Sequence, residues 1–200
     1  MSDTRAFLCS LRVPSLGPFL ADWPDSADGR ASAPLPGPGN GAPPQLPVLR
    51  WIADIAPDDQ GIGATVLADL GRHARSLAWR QTYTADEVSD EFLRNYGYTE
   101  ILGPAAPIAA RRIACGFLLL GPDTLYPLHR HEAEEVYVPL SGTARWIQGD
   151  GIWRERPPGT VIYHASEEPH ATHTGARPLL ALYIWRSRQL NQRARLEPAR

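Results

Sequence analysis

Residues 121–142, GPDTLYPLHRHEAEEVYVPLSG, carry His129, His131 and Glu135 in the order His-x-His-x3-Glu, with a glycine at each end. Three side chains able to bind a metal thus fall within seven positions. Imidazole nitrogen and carboxylate oxygen are the usual protein ligands of a catalytic divalent ion that keeps positions open for substrate. Alternate residues of a strand point to one side, so His129 and His131 can reach a single ion. Glu134 is also at hand. The plainer alternative is a surface strand that is simply rich in His and Glu. Against it, five of the six histidines lie between His129 and His173. The metal reading is preferred.

The spacing resembles the first motif of the cupin superfamily: glycine, a short spacer, His-x-His, three or four residues, glutamate, six residues, glycine. The run from Gly121 to His129 is two positions longer than the strictest form, and His131-x3-Glu135-x6-Gly142 fits as it stands. The second cupin motif is a Pro-Gly followed, after a strand and a turn, by a third histidine. Pro158-Gly159-Thr-Val-Ile-Tyr-His-Ala-Ser-Glu-Glu-Pro-His170 has that layout. It departs from the pattern at Ala165 and Glu167, where the usual turn has Pro and Gly. His164 and His173 are rival third ligands, and the Pro-Gly register favours His170.

A closer resemblance rests on Tyr126-Pro-Leu-His-Arg-His131, Ala133-Glu-Glu-Val-Tyr137, Gly142-Thr-Ala-Arg-Trp146 and the late Tyr183-Ile-Trp185. Together with Asn95-Tyr-Gly-Tyr-Thr-Glu-Ile-Leu-Gly103, these resemble the cupin-type dimethylsulfoniopropionate (DMSP) lyases of marine bacteria. The likeness runs from about Asn95 to Arg186. It implies a small metal-dependent lyase that splits DMSP into dimethyl sulfide and acrylate, with Tyr137 as base and Tyr126 and Trp185 in the substrate pocket.

Composition agrees with a compact enzyme. Two hundred residues suit one domain, and a hydrophobic fraction of 43% is ordinary. A formal net charge of −2 gives no reason to expect nucleic acid or an acidic membrane as partner. Cys9 and Cys115 imply no disulfide framework. The N-terminal stretch is a poor signal peptide and no run reaches transmembrane length, so the cytoplasm is the default location. A homodimer is left open.

Residues 34–47, PLPGPGNGAPPQLP, hold six prolines and three glycines and divide the chain as a linker or polyproline-like surface loop. Residues 1–33 read as an N-terminal helical segment. Residues 48–97 read as a helical region packing on a barrel. There Ile62, Val66, Leu70, His73 and Leu77 recur at helical spacing, with His73 expected packed or half-buried. Thr84-x-x-Glu87 reads as a capping box opening a helix through about Arg94. From Tyr98 the period changes to short apolar runs (113–120, 135–140, 144–148, 160–163 and 179–185), with a turn at Gly149-Asp150-Gly151. The fold class expected is mainly β. It is a cupin, a small antiparallel β-barrel or jelly roll over residues 98–190, preceded by helices and followed by a polar tail at 191–200.

The chemistry follows from the residues and the resemblance together. A divalent ion on a substrate carboxylate would act as a Lewis acid, a base would take the α-proton, and dimethyl sulfide would leave as a neutral molecule. Tyr137 shares the strand face of Glu135, and a cation nearby would favour its phenolate. A core tyrosine is its plainer role. Tyr126 and Trp185 would turn aromatic faces to a sulfonium, although barrel packing would also account for them. The metal ligands expected are His129, His131, Glu135 and His170, with His129 alternatively a substrate contact; Tyr137, Tyr126 and His129 are the catalytic candidates. The ion is left open among zinc, iron, manganese, cobalt and nickel. Two other classes share these ligands. One is another metal cupin enzyme, a dioxygenase or isomerase; the first would consume oxygen, whereas a lyase works without it. The other is a non-enzymatic sensor, disfavoured because no DNA-binding signal accompanies the cupin.

Overall fold

The computed structural model describes residues 2–24, 45–57, 61–104, 106–149 and 151–198. Most of the Pro/Gly-rich stretch and Asp150 lie outside the described residues, so those two expectations have no structural counterpart. Among the described residues four short α-helices are present, α1 (Ser2–Ser10), α2 (Gly17–Ala21), α3 (Ala64–His73) and α4 (Asp90–Arg94), with 3-10 turns at Pro14–Leu16, Pro47–Asp54 and Ala74–Ser76. None is long and apolar enough to cross a membrane.

Among the described residues twelve strands follow the helices or interleave with them: β1 (Trp79–Arg80), β2 (Tyr96–Gly103), β3 (Ile108–Ala109), β4 (Ile113–Leu120), β5 (Leu125–Arg130), β6 (Glu134–Ser141), β7 (Ala144–Gln148), β8 (Arg154–Arg156), β9 (Ile162–His164), β10 (His170–Thr174), β11 (Leu179–Arg186) and β12 (Arg195–Leu196). They make two sheets, one ordered β1-β2-β4-β11-β6-β9 with β3 beside β2, the other β12-β5-β10-β7-β8. Every pairing is antiparallel except β2 with β3. The mainly β, cupin-like architecture is therefore as expected.

The larger sheet is buried on both faces, which explains why its central strands read as unbroken apolar runs. On β4, Ile113, Cys115, Phe117 and Leu119 point outward into a core shared with the helices, while Leu118 and Leu120 point into the barrel. The alternation continues across β11, with Leu180, Leu182 and Ile184 outward and Leu179, Ala181 and Tyr183 inward. On β6, Val136, Val138 and Leu140 join the outer core and Tyr137 the inner one. Leu8 of α1, Phe19 of α2 and Val66, Leu67 and Leu70 of α3 supply the covering layer. An ion-pair staple ties it down: Arg186 donates to Asp22 at 2.8 Å and to Glu134 at 2.7 Å.

Several local expectations need correction. The helix expected from Thr84 does not run on from its capping box. The Thr84 amide and hydroxyl both donate to Glu87, at 3.0 and 3.2 Å, but they close only a turn. Ser89 adopts an extended conformation and its hydroxyl accepts from the Phe92 amide, so it is the cap, and α4 starts at Asp90. His73 is exposed at the end of α3 rather than packed. The sheet begins before Tyr98, because Tyr96 already pairs with Leu120. The last residues are more than a polar tail: Ala194 is buried and β12 adds an edge to β5. The turn that the cupin pattern left undefined is made by Glu167 at φ +62, whose amide donates to the His131 carbonyl at 2.8 Å.

Candidate metal centre and active site

The two sheets meet around three buried histidines. His129 lies on β5 directly opposite His170 on β10. His131 sits one residue past the end of β5, on the connection that crosses to β6, where Glu135 stands. The ligand atoms of His129, His131 and His170 all lie within 4.8 Å of one another. Glu135, wholly buried, reaches the same spot from the other sheet: its Oε2 is 2.8 Å from His131 Nε2 and 3.2 Å from His170 Nε2.

Each of the three imidazoles is oriented from behind by the main chain. Nδ1 of His129 donates to the Pro127 carbonyl at 2.8 Å, Nδ1 of His131 to Ala133 at 2.9 Å, and Nδ1 of His170 to Glu168 at 2.8 Å. Placing the proton on Nδ1 leaves a lone pair on Nε2. Three lone pairs then converge beside a carboxylate, and His170 Nε2 has no hydrogen-bond partner. Such a set is repulsive unless a cation or a proton sits in it. These four residues therefore fit a divalent ion, on the arrangement by which protein metal sites orient their histidines.

The electrostatics agree. Burial, reinforced by His170, holds the His129 imidazole well below its ordinary value, keeping it neutral as a ligand must be. For His131 burial acts in the same direction, but the charge and hydrogen bond of Glu135 outweigh it, and its pKa is raised. Burial alone would push Glu135 up; His131 and His170 together hold it well below the usual carboxylate range. A third contact steadies the carboxylate: the Trp185 indole N–H donates to Glu135 Oε1 at 2.6 Å, with Trp185 paired opposite Glu135 across β11 and β6.

A cavity of about 150 Å³ opens beside this cluster and is lined by Glu135, Tyr137, Tyr126, Trp185, Tyr96 and Tyr98 among others. Tyr137 follows Glu135 by two on β6 and shares its inward face. Burial, then the Glu135 charge, pushes the phenol well above its ordinary value. Tyr126 stacks on His129 with ring centroids 4.1 Å apart and belongs to an aromatic cluster with Tyr83, Phe92 and Tyr96. The outer wall is the stretch from Asn191 to Ala194, anchored where Arg193 donates to Glu87, at 3.2 Å through Nη1.

The structure thus gathers His129, His131, Glu135, His170, Tyr126, Tyr137 and Trp185 in one place. Neither rival histidine belongs to that group of converging ligand atoms. His173 is half-buried, with its Nδ1 beside Arg145 at 3.0 Å. His164 is buried and stacks behind His170 at 4.0 Å between ring centroids. Sequence reasoning missed Tyr83, Tyr96, Tyr98, Glu100, Tyr183 and the 191–194 wall. Period-2 spacing of Tyr96, Tyr98 and Glu100 was a usable signal; nothing in the sequence marks the wall.

Comparison with known proteins points to one family. A family model described as dimethylsulfoniopropionate lyase matches residues 34–181. The DMSP lyase DddQ of Ruegeria pomeroyi is 31% identical over 175 residues, covering 88% of this chain and 82% of that protein. The putative DMSP lyase DddL of Cereibacter sphaeroides is 37% identical over 118 residues, 58% of this chain and 48% of that protein. A chain from the crystal structures of the DMSP lyases RdDddP and RnDddQII superposes with a TM-score of 0.81 at 28% identity, covering 98% of this chain and 94% of that one. The crystal structure of DddQ from Ruegeria pomeroyi DSS-3 gives a TM-score of 0.72 at 24% identity, over 96% of both chains, and bears on the fold alone.

Proposed function

Since the chain belongs to the dimethylsulfoniopropionate lyase family, we propose that it converts DMSP to dimethyl sulfide and acrylate by β-elimination, with Tyr137 as the base. The observation that carries this reading is the convergence of three backbone-oriented imidazoles and Glu135 at one end of a tyrosine-lined cavity that also holds Tyr137. His129, His131, Glu135 and His170 would hold the metal, a set that suits zinc, iron, manganese, cobalt or nickel. The ion would supply Lewis acidity, drawing charge from the substrate carboxylate so that the α-proton becomes acidic.

The remaining roles belong to the chain itself. Tyr137 Oη takes the proton from the α-carbon. The C–H electron pair becomes the Cα=Cβ bond, and the Cβ–S pair leaves with sulfur as neutral dimethyl sulfide. Burial and the Glu135 charge oppose a phenolate, so Tyr137 is a base only when the Glu135 charge is offset. Tyr126 and Trp185 hold the substrate against the histidines, their faces suited to a sulfonium. Trp185 also keeps Glu135 aimed at the site through its N–H. His129, clamped between Pro127 and Tyr126, serves as ligand rather than base.

The test is anaerobic. Metal-loaded protein is sealed with DMSP, and headspace dimethyl sulfide and dissolved acrylate are measured by chromatography. Equal amounts of the two products, formed without oxygen and lost on chelation, are expected. A requirement for oxygen, or acrylate without dimethyl sulfide, would overturn the lyase assignment in favour of another metal-dependent cupin chemistry.

A further inference from the structure

A second cavity, of about 630 Å³, shares Asn191 with the tyrosine-lined one. Its character is different. Arg111, Arg112 and Arg188 line it, and Asp22 is the acidic residue among the described ones there. All three arginines are exposed.

Strand register brings these arginines together. β4 begins at Ile113 and β11 ends at Arg186, and the two residues pair with each other. The pairing runs one residue further, since the Ser187 amide donates to the Arg112 carbonyl at 3.1 Å. Arg111 and Arg188 are the next residues outward on the two segments. Adjacent strands lie about 4.8 Å apart, so two side chains of arginine's length can reach one small anion from there.

The charges at this end of the sheet do not balance. Asp22 is already shared: its Oδ2 accepts from Arg186 at 2.8 Å, and its Oδ1 lies 3.3 Å from Arg112 Nε. Among the described residues no ion pair involves Arg111 or Arg188. Like charges on neighbouring strands destabilise each other, and an anion between them reverses the sign of the interaction. A guanidinium meets a carboxylate or phosphate with two parallel N–H donors, which suits an oxyanion over a halide. Exposed contacts of this kind are individually modest, so the affinity expected is millimolar.

Resting on the lyase reading for its occupant, we propose that Arg111 and Arg188 form an oxyanion site beside the active cavity, which takes the carboxylate of the product acrylate. The same charges disfavour the sulfonium end of DMSP, so the site accepts product over substrate. Arg112, tied to Asp22, frames the site. Neither Arg111 nor Arg188 lines the tyrosine-lined cavity, and turnover does not depend on them.

The experiment titrates zinc-loaded, full-length, nitrogen-15-labelled protein with sodium acrylate and, separately, with sodium phosphate at constant ionic strength, followed by NMR. Ala109 and Ala110 are the reporters, because they line this cavity and not the other. Their amide signals should shift with acrylate and saturate. In the double variant Arg111→Gln/Arg188→Gln the half-saturating concentration should rise about tenfold, the scale of losing two exposed charge contacts. Initial kcat and KM for DMSP, measured before acrylate accumulates, should be unchanged in that variant. Shifts that never saturate, or that the double variant leaves as they were, overturn the proposal. Saturation by phosphate alone keeps the oxyanion site and removes acrylate as its occupant. Dimethyl sulfide release separates this site from the lyase reading. Normal release without saturable shifts removes the site and leaves the lyase. Saturable shifts in a protein that releases none leave the site and remove the lyase.

Discussion

Replacing Trp185 by Phe deletes the donor that meets Glu135 Oε1 at 2.6 Å, while keeping a ring beside His131, whose centroid lies 4.3 Å from the indole. Glu135 is wholly buried, so the variant leaves its carboxylate one protein donor short. A hydrogen bond to a buried charged group contributes about 1.5–3 kcal/mol. For a chain of this size that is a fall in midpoint of roughly 3–12 °C in the metal-free protein. Loss of ring volume would also destabilise, and pH separates the two causes. Glu135 is held below its unfolded value, so the stability it contributes is full above about pH 4.5 and is lost as pH falls through its folded value. The gap between native protein and Trp185→Phe should therefore be widest at neutral pH and narrow in acid. A packing loss would persist throughout. Thermal unfolding of both metal-free proteins across that range is the assay, with metal affinity by competing chelator beside it. A midpoint difference independent of pH, with unchanged metal affinity, would refute the reasoning.

Other outcomes follow from the same geometry. His131→Ala, Glu135→Ala and His170→Ala should each remove most bound metal, whereas His173→Ala should leave it, as elemental analysis will read; full occupancy in the first three would dismiss the ligand set. Tyr137→Phe should retain metal and fold but lose about 10²–10⁴-fold in turnover, the usual cost of a missing general base. In the metal-free protein, difference absorbance should show Tyr137 still protonated where exposed tyrosines, near pH 10, have titrated; comparison of the native and Tyr137→Phe spectra isolates it. Gly116→Ala should destabilise by about 3 kcal/mol, since the new methyl meets main chain that cannot swing aside; an unchanged denaturation midpoint would mean that β2 can move.

How much of this was legible beforehand depended on the range of the interaction. His129, His131, Glu135 and Tyr137 lie within nine positions, and strand periodicity alone puts their side chains within reach of one another. His170 was picked out by its Pro-Gly register against two rivals nearby. The apolar runs of β4 and β11 named themselves as strands because both of their faces are covered, which also hid from the sequence which residues face the cavity. The helix at Thr84 failed for a local reason: two cap signals compete, and Ser89 wins because its extended conformation ends the turn that Thr84 begins.

The sequence by itself determined which His and Glu side chains are candidates for the site, their spacing and the β-barrel, because these depend on contacts between near neighbours along one or two strands. Only the tertiary structure decided what surrounds them. Trp185 bonds to Glu135 across fifty residues of chain. Glu100 joins the cavity through a bulge against Gly116, and the wall at Asn191–Ala194 closes it through a pair between Arg193 and Glu87. Such contacts are set by strand order and register, which place residues distant in the chain side by side. No local pattern encodes which of many polar side chains will meet across that distance.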